Sequence, residues 1–253
     1  MKNEAAIFLL AVQFLSRIPI STANLHSPER LEAAVRYYPL VGLMLGGLSA
    51  LIFWASDFIF PTAIALMFAI AIGLLLSGGF HQDGLADTFD GIGGGLSRAQ
   101  ALEIMKDSRL GTYGTLALIT ALALKFAALS ALPAIWIIAG LMTAHSVSRL
   151  SSIVVIATST YAREEGKAKP VAGGVSRVGL GVAALTGTAT ICAASLVLPL
   201  PAIFAGLTGL IVGHIGIRLF FERKLGGYTG DTLGAVQQVS EIGFYLGLAA
   251  WHS

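Results

Sequence analysis

Long uncharged runs recur along the chain, and short segments between them hold nearly all the charge. Crossing a bilayer as a helix takes about 20 apolar residues. Seven stretches reach or approach that length: 40–55, 58–79, 112–131, 133–156, 178–198, 202–220 and 232–251. Asp57 punctuates the first pair, Pro133 parts the third from the fourth, and Pro199 with Pro201 parts the fifth from the sixth. The first stretch is short, which predicts a tilted or partly re-entrant segment. Residues 1–24 carry a still shorter apolar stretch, Ala5 to Val12, flanked by Glu4 and Arg17 and followed by no Ala-x-Ala-like site. That pattern predicts a short interfacial or re-entrant helix rather than a cleaved signal. The expectation is an all-α, polytopic integral membrane protein of about seven transmembrane helices. No polar linker divides it, so 1–253 reads as one membrane-embedded domain.

The basic residues give that arrangement a direction. Fourteen of the sixteen Lys and Arg fall before the first span, between the second and third, between the fourth and fifth, or around the end of the sixth. All of these lie on one side if seven spans are right. Lys125 and Arg149 are the two exceptions, inside apolar segments. The positive-inside rule then places the N-terminus and the loops around 80–111, 158–177 and 221–231 in the cytoplasm.

Composition agrees. The 253 residues are 55% hydrophobic and 12% charged, against about 25% charged in soluble domains. A formal net charge of +2 is too small for a nucleic-acid binder. The single cysteine, Cys192, excludes a disulfide framework and is expected to be a small buried apolar residue.

Chemistry concentrates on the basic side. Asp83, Asp87 and Asp90 follow an uncharged run. On a helix they fall within an arc of about 60°. Like charges so placed repel, and at the end of an apolar segment they call for a cation. Carboxylate oxygens favour Mg²⁺, with Mn²⁺ as the second choice. Neighbouring glycines leave room for a phosphate ester. The same loop continues to Asp107, a fourth candidate ligand, and to Lys106 and Arg109, which could hold phosphate oxygens. A second Gly-acid segment, Gly226-Gly227-Tyr228-Thr229-Gly230-Asp231, precedes the last span. It suits an anion at a helix N-terminus, although Thr229 or Asp231 could equally cap the helix. Glu241, Lys125, His145 and Arg149 lie within apolar segments and must face a polar interior. Glu241 is expected to pair with Lys125 or Arg149, or to bind substrate. His214 reads as a packing or interfacial residue.

These residues resemble the cobalamin-5′-phosphate synthase family, also called adenosylcobinamide-GDP ribazoletransferases. The likeness runs through Arg17-Ile18-Pro19, Tyr38-Pro39-Leu40-Val41-Gly42 and His81-Gln82-Asp83-Gly84-Leu85-Ala86-Asp87-Thr88-Phe89-Asp90-Gly91. It continues through Met105-Lys106-Asp107-Ser108-Arg109-Leu110-Gly111-Thr112-Tyr113-Gly114, Tyr161-Ala162-Arg163-Glu164-Glu165-Gly166 and the Gly226–Asp231 segment. The resemblance implies an Mg²⁺-dependent enzyme of the bacterial inner membrane in the last stage of vitamin B12 assembly. It would join adenosylcobinamide-GDP to α-ribazole or its 5′-phosphate and release GMP. Asp83, Asp87, Asp90 and Asp107 would then hold the metal. Asp83, Lys106 and Arg109 would serve catalysis. His81, Arg163, Gly227, Thr229, Gly230, Asp231 and Glu241 would contact substrate. Its other partners would be membrane lipid and, as an open alternative, further copies of the chain.

Asp87-Thr88-Phe89-Asp90-Gly91 also matches the Asp-x-x-Asp-Gly opening of CDP-alcohol phosphotransferases. The Ala-Arg pair expected next is replaced by Gly94-Gly95, which argues against a phospholipid synthase. A divalent-cation transporter is the alternative of another class. Its site would more often lie near the bilayer midplane, whereas most acids here gather at one boundary.

Overall fold

The computed structural model describes residues 2–22, 24–163 and 173–253. Among them the chain is helical, with no strand and one isolated parallel bridge between Tyr161 and Tyr228. The helices are α1 (Lys2–Leu15), α2 (Pro28–Ala34), α3 (Tyr38–Asp57), α4 (Thr62–Ser77), α5 (Phe80–Gly94) and α6 (Arg98–Ile104). They continue as α7 (Thr112–Ser130), α8 (Ala134–Thr158), α9 (Arg177–Ala194), α10 (Leu200–Leu225) and α11 (Gly230–His252). A 3₁₀ turn, Val35–Tyr37, joins α2 to α3.

Five of the described helical runs are long and apolar enough to cross a membrane, or six if the bent pair α4–α5 counts as one span. The chain is therefore a multi-pass membrane protein. The seventh expected span corresponds to α11. With 23 residues it is about 34 Å long, enough for a hydrocarbon core of about 30 Å. Gln237, Gln238, Ser240 and Glu241 dilute its hydropathy, and all four are buried. Helices α5, α7, α8 and α10 surround it, so its polar groups face protein.

Two expectations change. The run from Pro28 to Asp57 is one candidate span of 30 residues, so the first stretch is not as short as expected. Helix α1 is short as expected, and it buries Ile7, Leu10, Ala11 and Leu15 in the core cluster shared with α2 and α3. Cys192 is exposed on α9, because that peripheral helix leaves much of its surface uncovered. His214 is the packing residue expected, with Nδ1 2.7 Å from the Ser151 hydroxyl.

The break that positions the site lies at Gly78-Gly79. Both glycines are left-handed, with φ of +64° and +65°, a conformation L side chains avoid. Their N–H groups satisfy the last carbonyls of α4, at Leu75 and Leu74. The chain then turns by 85° into α5. The acidic segment thereby becomes a separate helix laid across α11 and α7.

Candidate active site

The first turns of α5 and α11 meet at Gly84. A Cβ there would stand 2.6 Å from the Asp231 carbonyl oxygen, so only glycine permits this approach. A cavity of about 40 Å³ opens at the crossing. Asp83 and His81 of α5 line it with Gly230 and Asp231 of α11, Arg149 and Ser152 of α8, and Tyr38 of α3. Two helix N-termini thus face one space that also holds two carboxylates. Helix N-termini favour anions, whereas carboxylates favour cations. A phosphate ester carried with a divalent ion satisfies both.

Asp231 is held by Arg163, whose Nη2 lies 2.9 Å from Oδ2. The segment carrying Arg163 is fastened to the α10–α11 turn by backbone bonds. Tyr228 N–H donates to the Thr160 carbonyl, and Ala162 N–H to the Tyr228 carbonyl, each at 2.8 Å. Arg98 staples the two together, with Nε donating to the Leu225 carbonyl at 2.7 Å and Nη2 to the Ala162 carbonyl at 2.9 Å. Burial in this layer raises the Tyr228 phenol to about 12, and the Tyr161 phenol beside it adds to the shift. Thr229 is fully buried and caps α11 reciprocally with Thr232. Gly227 sits against Thr160. Those two serve the turn; Gly230 and Asp231 are the members of the segment that reach the cavity.

The four expected metal carboxylates do not converge. Among the described residues, no group of three or more His, Cys, Asp or Glu side chains is placed to hold a metal ion. Asp83 is exposed and Asp87 half-buried. Asp90 is buried and accepts the N–H groups of Gly111 and Gly114, each at 2.8 Å. Asp107 pairs with Arg109 at 2.5 Å. Hydrogen bonds from that guanidinium hold the Asp107 carboxyl below its ordinary value. Lys106 and Arg109 are exposed, and neither lines the cavity. What remains is the pair Asp83 and Asp231, with Asp87 one turn along α5. Mg²⁺ is commonly held by one or two carboxylates together with substrate phosphates and water. The donors present fit an ion shared with substrate, not an all-protein cage.

A second cavity of about 20 Å³ lies next to the first, sharing His81 and Arg149. Glu241 is fully buried there and ion-paired with Lys125 at 2.8 Å. His145 Nε2 stands 3.5 Å away, and Gln237 and Tyr245 donate to its two oxygens. The pairing partner of Glu241 is therefore Lys125, and its carboxylate is occupied by protein. Sequence spacing alone did not single out Arg98, Ser152 or Tyr38, because each acts from an element distant in the chain. The charge of Arg149 in an apolar run was the one available signal.

Glu164, Glu165 and Gly166 of the expected motif, with Lys167 and Lys169 of the basic loop, lie outside the described residues.

Comparison with known proteins identifies the family. The cobalamin-5-phosphate synthase family model matches residues 7–249. The adenosylcobinamide-GDP ribazoletransferase of Leptothrix cholodnii is 43% identical, covering 98% of this chain and 96% of that protein. The protein of that name from Shewanella amazonensis is 44% identical, covering 97% and 95%. No solved structure matches the chain. With residues 7–249 inside the family match and relatives above 40% identity over nearly the whole chain, the chain belongs to the cobalamin-5-phosphate synthase family.

Proposed function

We propose that the protein transfers the adenosylcobinamide-phosphate moiety of adenosylcobinamide-GDP to α-ribazole, or to its 5′-phosphate, and releases GMP. The observation that carries this reading is the cavity at the α5–α11 crossing. There two helix N-termini and the carboxylates of Asp83 and Asp231 surround one small space, in a chain whose relatives bear that activity in their names. A ribose hydroxyl of the ribazole attacks the phosphorus nearer the cobinamide. The new P–O bond forms as the bond to the bridging oxygen breaks, and its electron pair leaves with GMP. Asp83, exposed on the first turn of α5, accepts the hydroxyl proton. Arg163 orients Asp231. Positioning and charge neutralisation carry most of such a transfer. Mg²⁺ or Mn²⁺, held by Asp83 and Asp231 with Asp87 nearby, would supply charge neutralisation at the diphosphate. Lys106 and Arg109 give the approach surface positive charge. The excess of basic residues on one side supports a bacterial inner membrane with this cavity toward the cytoplasm.

The identity of the released nucleotide tests the reading. Purified protein given adenosylcobinamide-GDP, α-ribazole 5′-phosphate and Mg²⁺ should release GMP. Release of CMP from a CDP-alcohol with a lipid acceptor, or cation flux with no nucleotide released, would replace it with one of the alternatives.

A further inference from the structure

Arg149 is a buried cation that the described carboxylates leave unmatched. It is 3% exposed on α8. Its Nη1 donates to the His145 carbonyl at 2.7 Å, and its Nε has no hydrogen-bond partner. No described carboxylate lies within ion-pair distance of it; Glu241, the buried acid nearby, is paired with Lys125. Isolated buried charge is costly in a low dielectric, and ionisable groups at membrane depth characteristically mark a substrate or ion path. An unmatched guanidinium there calls for an anion.

Its position says which anion. Arg149 lines the cavity that also holds Asp83 and Asp231, and it lines the smaller one beside it. Residues of the first turns of α5 and α11 line the same space, and helix N-termini favour anions. From Thr158 at the end of α8, Arg149 lies nine residues in, about 13 Å along the helix axis. The cavity, about 40 Å³, is small, which suits a phosphoryl group better than a nucleoside or a corrinoid ring. A guanidinium presents two parallel donors to phosphate oxygens. Lys125, a compact charge already paired with Glu241, does not compete for that task.

We propose that Arg149 binds phosphate oxygens of the diphosphate substrate on the side of the cavity away from solvent, opposite Asp83 and Asp231. The proposal rests on the reading of this cavity as a diphosphate-transfer site, and it adds a residue from α8 to it.

Pyrophosphate is the probe. Full-length protein purified in detergent is titrated with sodium pyrophosphate by calorimetry, and GMP release is measured in parallel. Wild type should bind; Arg149→Gln should weaken binding at least tenfold, Arg149→Lys less, and both should raise KM for the diphosphate substrate. Arg149→Lys keeps the buried charge, so it serves if Arg149→Gln does not fold. Unchanged affinity and KM in either folded variant, or no binding by wild type, would overturn the assignment. Wild-type protein that binds pyrophosphate in an Arg149-dependent way but releases no GMP would instead sink the transfer reading and leave the anion seat standing.

Discussion

Asp90 and Gly114 are joined at 2.8 Å, where the carboxylate on α5 accepts the backbone N–H in the first turn of α7. The other carboxylate oxygen accepts the Gly111 N–H at the same distance. A Cβ on Gly114 would stand 2.3 Å from that carboxylate. One acid thus caps a neighbouring helix across 21 and 24 residues of sequence, and the glycines are what lets it approach.

This bond makes Asp90 a structural residue whatever else it does. Asp90→Asn keeps one acceptor and turns an amide donor toward a backbone donor. Losing such a cap costs about 1–2 kcal/mol, and leaving a buried donor unpaired costs about 1–3 kcal/mol. The variant should melt at lower temperature than wild type in detergent. Asp83→Asn, at an exposed position, should melt like wild type. Equal melting of all three proteins would mean that the α5–α7 bonds are dispensable.

Glu241 and Lys125 should behave as a coupled pair. Removing one partner of a buried ion pair costs about 3–5 kcal/mol, whereas replacing both with apolar groups is often near neutral. Glu241→Gln alone should destabilise strongly. Adding Lys125→Met should recover most of the loss. A thermal-melting double-mutant cycle measures the coupling, and additive losses would show that the two side chains do not depend on each other.

Helix count and orientation make a prediction of their own. If α11 crosses the membrane as the last of seven spans, a reporter fused after Ser253 lies on the side opposite the basic loops. A phosphatase fusion there should be active in the periplasm. Cytoplasmic reporter activity would mean that α11 does not cross.

Much of this was legible in the chain. Hydropathy placed the later apolar helices within a few residues, since each run is bounded by Pro, Gly or charge, but it missed that the first candidate span begins at Pro28. Gly78-Gly79 marked the boundary before the acids, though not its 85° turn, because two left-handed residues can redirect a helix in more than one way. Helical spacing put Asp83, Asp87 and Asp90 on one face. It could not say that Asp90 meets α7, or that Asp231 meets Asp83 across a cavity. Those relations depend on which helix lies opposite, and spacing along one helix carries no such information. For the same reason Lys106 and Arg109, close in sequence to the acids, are exposed, while Arg149, distant in sequence, lines the cavity.

The cavity at the α5–α11 crossing is the centre of this account, and turnover by Asp83→Asn and Asp231→Asn tests it most directly. Neither change touches the Asp90 cap or the Glu241–Lys125 pair; Asp83→Asn should melt like wild type, and Asp231→Asn, which weakens the pair with Arg163, should stay folded but melt lower. GMP release from adenosylcobinamide-GDP should fall at least about 100-fold in each, on the order of the loss when a proton-transfer or charge-stabilising group is removed. Wild-type rates of GMP release in either folded variant would place the chemistry somewhere other than this cavity.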